Sequence, residues 1–237
     1  MKKLSSLVIA IFGIIVLSAF ASFLILKKPI DPRAFKEAEK VLNFEAEDFY
    51  ALKNEIFKKS SQELVFRAPE DIEIASFAFE VDSVYLSDAF KKRVYKFSKK
   101  GDIIWESRGE KRFIIPNHKF PLSLSPEGDL WVANTGLKRL ENLDKNTGKF
   151  VASWEPANGF EFLGCCNPIA FAAVGGGRFV CMEKGTKKIK MFLPSGESKV
   201  IDELSANWSN YGVKFDSKTS ELFYFDGVKN VRLKLED

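Results

Sequence analysis

Val84-Tyr85-Leu86-Ser87-Asp88 is an apolar run closed by one acidic residue, and five residues later Arg93-Val94-Tyr95-Lys96-Phe97 opens another. Working outward, the pattern returns. Trp131-Val132-Ala133-Asn134 closes on an amide, Phe179-Val180-Cys181-Met182-Glu183 on an acid, and Leu222-Phe223-Tyr224-Phe225-Asp226 on another. These closing residues stand 46, 49 and 43 positions apart. That period is the length of a four-stranded propeller blade.

The copies agree in finer detail. A basic residue and then an aliphatic one follow the anchor by five positions: Arg93-Val94, Arg139-Leu140 and Lys188-Ile189. Three residues further on comes a large apolar residue (Phe97, Leu143, Phe192), and then a glycine (Gly101, Gly148, Gly196). Pro69, Pro121 and Pro168 precede the strands that lead into each anchor, and the last copy is one residue shorter, with Lys229 and Val231. The chemistry is consistent. An Asp, Asn or Glu at a strand end satisfies backbone N–H groups of the next turn. The basic residue opens the return strand and pairs with it across the hairpin. The glycine supplies the positive φ of a tight connection. Gly175-Gly176-Gly177 lacks the Lys-Ser/Thr of a phosphate loop and reads as a further hairpin turn.

Composition agrees with an all-β chain. Phe occurs 23 times, with four Trp and five Tyr, and 46% of residues are hydrophobic. Aromatic and β-branched side chains suit pleated, half-buried surfaces. The net charge of +4 from 36 basic and 32 acidic residues is too small and too dispersed to indicate a nucleic-acid partner. One histidine, His118, in a polar loop context, and three cysteines leave little for metal chemistry, since a zinc site wants four ligands. No catalytic set, metal site or cofactor is predicted.

Before the repeats, Leu4 to Leu26 is an uncharged stretch bounded by Lys2-Lys3 and Lys27-Lys28. It is long enough to cross the roughly 30 Å hydrocarbon core as a helix. Ala19-Phe20-Ala21 has the small-x-small form of a signal-peptidase site, but Phe23-Leu24-Ile25-Leu26 carries the apolar run past it. A signal anchor over residues 1–28 is therefore favoured over a cleaved signal. The short basic N-terminus places it in the cytoplasm and the rest of the chain outside, in a periplasmic or extracellular setting. Residues 29–61 are expected to form a juxtamembrane helical stalk or cap, because Phe35, Ala38, Leu42, Phe49, Leu52 and Ile56 recur at helical steps. The same run leaves room for a degenerate first strand pair.

Residues 62–237 thus read as about four four-stranded antiparallel blades, closed, incomplete or open. They resemble the NHL-repeat family of propellers, most clearly in Leu86-Ser87-Asp88 through Arg93-Val94-Tyr95-Lys96-Phe97. Gly164-Cys165-Cys166-Asn167-Pro168, followed by Glu183-Lys184-Gly185 and Ile189-Lys190, resembles a recurring blade of bacterial NHL-type proteins. NHL propellers often have six blades, so the resemblance implies a ring larger than these repeats supply. The expected function is a membrane-tethered, non-enzymatic module that binds a protein, peptide or glycan. Asp88, Asn134, Glu183 and Asp226 are the candidate ligand-binding residues, and turn chemistry is their other reading. Two further functions are open: a lactonase- or lyase-like propeller enzyme with those four residues around a central cation, and an exported thiol protein using Cys165 and Cys166. Cys165, Cys166 and Cys181 are candidates for redox chemistry or a disulfide, which persists in an exported compartment.

Overall fold

The first hairpin shows why the chain forms strands where helical spacing could be read. In the computed structural model, which describes residues 49–164, 166–204, 212–226 and 229–235, Phe49 to Lys58 folds back on itself. β1 (Phe49–Leu52) pairs antiparallel with β2 (Glu55–Lys58), so Leu52 lies opposite Glu55 and Tyr50 opposite Phe57. Lys53 turns the chain at φ 55°, and Asn54 Nδ2 donates to the Ala68 carbonyl at 2.8 Å. The helical stalk expected over residues 29–61 is therefore corrected for its described part. Phe49, Leu52 and Ile56 fall on two strands, where aromatic and β-branched neighbours favour pairing. The rest of that stalk, and the membrane segment at 1–28, lie outside the described residues.

β3 (Glu63–Arg67) completes the first sheet. The second holds β4 (Ile74–Glu80), β5 (Ser83–Asp88), β6 (Arg93–Ser98) and β7 (Ile103–Ser107). The third holds β8 (Leu122–Leu124), β9 (Leu130–Asn134), β10 (Arg139–Leu143) and β11 (Phe150–Trp154). The fourth holds β12 (Ala170–Gly175), β13 (Arg178–Met182), β14 (Lys188–Phe192) and β15 (Ser198–Glu203). The last holds β16 (Val213–Asp216), β17 (Glu221–Phe225) and β18 (Asn230–Lys234). Each sheet is an antiparallel meander, and the described residues contain no helix. The fold is an all-β propeller of five small blades, one more than the repeat spacing predicts, because the first blade has no anchor residue of the kind that marks the others.

The inner strands β4, β8, β12 and β16 stand side by side. β1 behaves as the second strand of a blade: its end meets the start of the next inner strand, with Ile74 N donating to the Lys53 carbonyl at 2.8 Å. Similarly, Ser87 at the end of β5 donates to the Phe120 carbonyl at 2.5 Å. Four apolar cores separate the five sheets. Ile56, Phe66, Phe77, Leu86 and Phe97 fill the first, and Tyr85, Val94, Phe113, Phe120 and Val132 the second. Leu140, Phe162, Phe171, Phe179 and Phe192 fill the third, and Val174, Val180, Ile189, Leu222 and Tyr224 the fourth. Alternate residues of one strand point into different cores, as Tyr85 and Leu86 do. This is why the strands read as continuous apolar runs, and why one sheet alone cannot hide its faces.

Gly101, Gly148 and Gly196 take φ of 91°, 70° and 86° in the turns between the third and fourth strands, as the repeat predicts.

Candidate functional site

The four anchors are buried, at most 4% exposed, and each holds the backbone of its own blade. Asp88 ends β5. Its Oδ1 accepts from the N–H groups of Phe90 (2.9 Å) and Lys91 (2.8 Å) in the following turn, and its Oδ2 from Glu73 N (3.2 Å), just before β4. Asn134 ends β9. Its Oδ1 accepts from Ile114 N at 2.8 Å, and its Nδ2 donates to the Arg112 carbonyl at 3.2 Å. Glu183 follows β13, and its Oε2 accepts from Phe162 N at 2.9 Å. Asp226 follows β17, and its Oδ1 accepts from Lys229 N at 2.8 Å. In the second, third and fourth blades the anchor thus grips the crossover that enters the blade. A buried backbone N–H without a partner costs about 1–3 kcal/mol, and the anchor removes that cost.

In two blades the anchor belongs to a larger charged cluster. In the third, Asn134 Nδ2 donates to Glu141 Oε1 at 2.8 Å, and Arg139 binds both Glu141 (2.7 Å) and Glu110 (2.6 Å). Glu141 Oε2 also accepts from Glu110 N at 3.0 Å. A Cβ on Gly109 would stand 2.3 Å from that oxygen, and Gly109 sits at φ 76°. The crossover therefore needs glycine there to approach the carboxylate.

In the fourth blade, Lys190 Nζ lies 2.8 Å from Glu183 Oε1 and pairs also with Glu161, whose Oε1 accepts from Ser198 Oγ at 2.8 Å. All three charged groups are largely shielded from water. Burial pushes the Glu183 carboxyl above the usual range, and Lys190 offsets only part of this. Burial also works against Glu161, but Lys190 and Ser198 outweigh it and hold that carboxyl low.

The spacing of anchor and basic residue puts Asp88 opposite Arg93 and Asn134 opposite Arg139 in the ladders, as expected. The guanidinium of Arg93, however, pairs with Glu106 on β7 rather than across the turn. The sequence pattern gives no site role to Glu141 or Glu161, and it places Lys190 only within the NHL-like stretch. One signal was there to be read: Glu141 and Lys190 both lie seven residues after their anchors, as polar residues within apolar strands.

The two halves of the cysteine-bearing motif meet in space. Asn167 Oδ1 accepts from Lys184 N at 2.7 Å, and Ile169 N donates to the Met182 carbonyl at 3.0 Å. Cys166 is buried, Cys181 is wholly buried in the third core, and no disulfide joins them. Burial pushes the Cys181 thiol well up, away from the reactive thiolate. Cys165 lies outside the described residues. His118 is exposed in the crossover before β8, with its ring 4.6 Å from that of Phe90.

No family model matches the sequence, and no curated protein matches it. Solved structures do resemble the fold. A streptogramin B lyase superposes with a TM-score of 0.51 at 14% identity, over 80% of this chain and 65% of that one. The chain therefore spans a little under two thirds of the lyase's length. A chain of a nidogen–laminin complex gives a TM-score of 0.54 at 16% identity, over 79% of this chain and 77% of that one. A protein of unknown function from Bacteroides caccae gives 0.49 at 15% identity, over 80% and 69%. At these identities the first two likenesses show the β-propeller fold.

Proposed function

We propose that this chain is a non-enzymatic binding module: an NHL-type propeller, tethered by residues 1–28 to a membrane and exported, that presents its turns and crossovers to a protein, peptide or glycan. One observation carries the reading. The polar residues that the repeat places at strand ends are buried and hold the turns and crossovers in fixed shapes, while Phe90, Leu137, Phe160 and Leu163 in those same segments are exposed. A stiff loop surface with exposed apolar side chains is suited to recognition, because little ordering cost remains at binding. The regular basic-aliphatic step after Asp88, Asn134 and Glu183 supports the NHL assignment. Likeness to a propeller seen in a complex with laminin is compatible with the binding role.

The full-length chain, extracted in mild detergent and used as bait with cross-linking, is expected to retain a reproducible partner. A chain that binds no protein, peptide or glycan under these conditions would sink the reading. Fractionation checks the tether: the chain should resist alkaline carbonate and yield to detergent.

The lyase-like alternative has the Glu161–Lys190–Glu183 cluster in its favour, because two carboxylates there meet at one ammonium group. Its central-cation form asks the anchors to release backbone N–H groups they now hold. Metal analysis of the purified chain, with Glu183→Ala as control, decides it, and a chain without bound cation ends it.

A further inference from the structure

Phe90 is 59% exposed at the tip of the turn between β5 and β6. Its ring lies against His118, so this turn and the crossover from β7 to β8 form one continuous surface. The turn between β9 and β10 joins them, since Gly136 N donates to the Ile114 carbonyl at 2.7 Å. Five exposed cations stand on these three segments: Lys92, Arg108, Lys111, Arg112 and Lys138. None enters an ion pair among the described residues, whereas Asp71 pairs with Lys91, Glu106 with Arg93 and Glu110 with Arg139; the exposed acids Glu70 and Glu73 lie outside these three segments, on the crossover before β4. The surface thus carries uncompensated positive charge beside exposed Phe90 and Leu137.

We propose that this face of the second and third blades docks an acidic peptide segment of a partner protein, with carboxylates on the cations and an apolar side chain against Phe90 and Leu137; the proposal rests on the chain being a binding module. The surface is already ordered. Asp88 fixes the first turn, Asn134 holds both sides of Phe113 in the crossover, and Phe113 packs beneath at 4.8 Å from Phe120. Preorganisation favours affinity, complementary charge speeds encounter and selects the partner, and an exposed aromatic supplies an anchor. A nucleic acid is a poorer fit, because one ring pair gives little stacking and the chain's net charge is only +4.

The test uses the full-length chain in detergent micelles and a fluorescent peptide alternating Glu with Leu, its Lys/Leu counterpart, and phosphatidylserine vesicles. The acidic peptide is expected to bind, more weakly as salt rises, and the basic one not to bind. Charge reversal by Lys111→Glu with Arg112→Glu, or independently by Lys92→Glu with Lys138→Glu, should weaken binding about tenfold or more. Phe90→Ala should weaken it about tenfold, while Lys199→Glu on the outer strand β15 should leave it unchanged. Equal binding by both charge-reversed variants overturns the proposal, and so does a preference for the vesicles. If a cross-linked partner is retained undiminished by those variants, this face is wrong while the binding-module reading stands. A chain that binds nothing at all removes both.

Discussion

In the third blade the anchor is an amide, Asn134, and the residue seven positions on, Glu141, is the acid. In the fourth the anchor, Glu183, is the acid, and the residue seven positions on, Lys190, is the cation. Both anchors nevertheless accept a crossover N–H at nearly the same distance, from Ile114 at 2.8 Å and from Phe162 at 2.9 Å. Each blade then balances its cluster with a second acid from the crossover, Glu110 on Arg139 and Glu161 on Lys190. What the position demands is an acceptor for the incoming backbone. The sign of the charge is free so long as the neighbours compensate. The clusters differ in depth: Glu110 stands at the surface, whereas Glu161, Glu183 and Lys190 are all shielded. Shielded charges are the ones that cannot lose a partner cheaply, whereas exposed pairs contribute little.

Glu183→Ala tests that difference most severely. It leaves Phe162 N without its acceptor and Lys190 with Glu161 alone. A loss of about 3 kcal/mol is expected, seen as a lowered urea midpoint of the full-length chain followed by tryptophan fluorescence. Trp154 reports directly, because its ring packs against Phe162, Phe179 and Phe192 in the adjoining core. A loss no greater than that of an exposed pair would mean the fourth cluster is not the deeper of the two.

Asn134→Asp breaks the third blade from the other side. It keeps the acceptor for Ile114 N but sets a second carboxylate against Glu141, in place of the amide donor at 2.8 Å. Arg139 relieves part of the repulsion, so about 2 kcal/mol of destabilisation near neutral pH is expected. The sign with pH follows. Burial and the Glu141 charge raise the new carboxyl in the folded state. The folded chain then takes up its proton before the unfolded chain does, and stability returns as the pH falls. Urea midpoints near neutrality and near the ordinary carboxylate range check this. A deficit independent of pH would show that geometry, not charge, is at fault.

The same comparison explains what could be read in the amino acids. The anchors of four blades were legible because each ends an apolar run, and three of them, Asp88, Asn134 and Glu183, are followed at fixed spacing by a basic residue and a glycine. The first blade escaped this reading. Its hairpin turns in two residues at Lys53-Asn54, with no acid closing β1, so it shares neither anchor nor spacing. Phe49, Leu52 and Ile56 meanwhile imitate a helical stripe. The backbone-holding role of Asp88, Asn134, Glu183 and Asp226 was legible in their residue types. The clusters were not. Glu141 and Lys190 sit inside apolar strands, where alternation would turn a polar residue toward water, yet both strand faces are covered by neighbouring sheets. Nor does sequence separation show that Asn167 and Lys184 meet, because that contact needs the crossover and the following hairpin to be folded together.

Glu183→Gln is the mildest change and the sharpest test. The amide oxygen keeps an acceptor for Phe162 N, and the fourth blade then carries the kind of anchor the third already uses. Burial raises the Glu183 carboxyl in the folded state despite Lys190, so its charge near neutral pH is a cost to the folded chain. Losing that charge offsets the loss of the contact with Lys190, and a net change under about 1 kcal/mol is expected. As pH falls toward the ordinary carboxylate range, the folded wild type takes up a proton on Glu183 ahead of the unfolded chain. Wild type should therefore gain stability relative to Glu183→Gln over that interval and then level off, as paired urea midpoints would show. If Gln proves as damaging as Ala, the charge itself holds the crossover, and the third blade is no guide to the fourth.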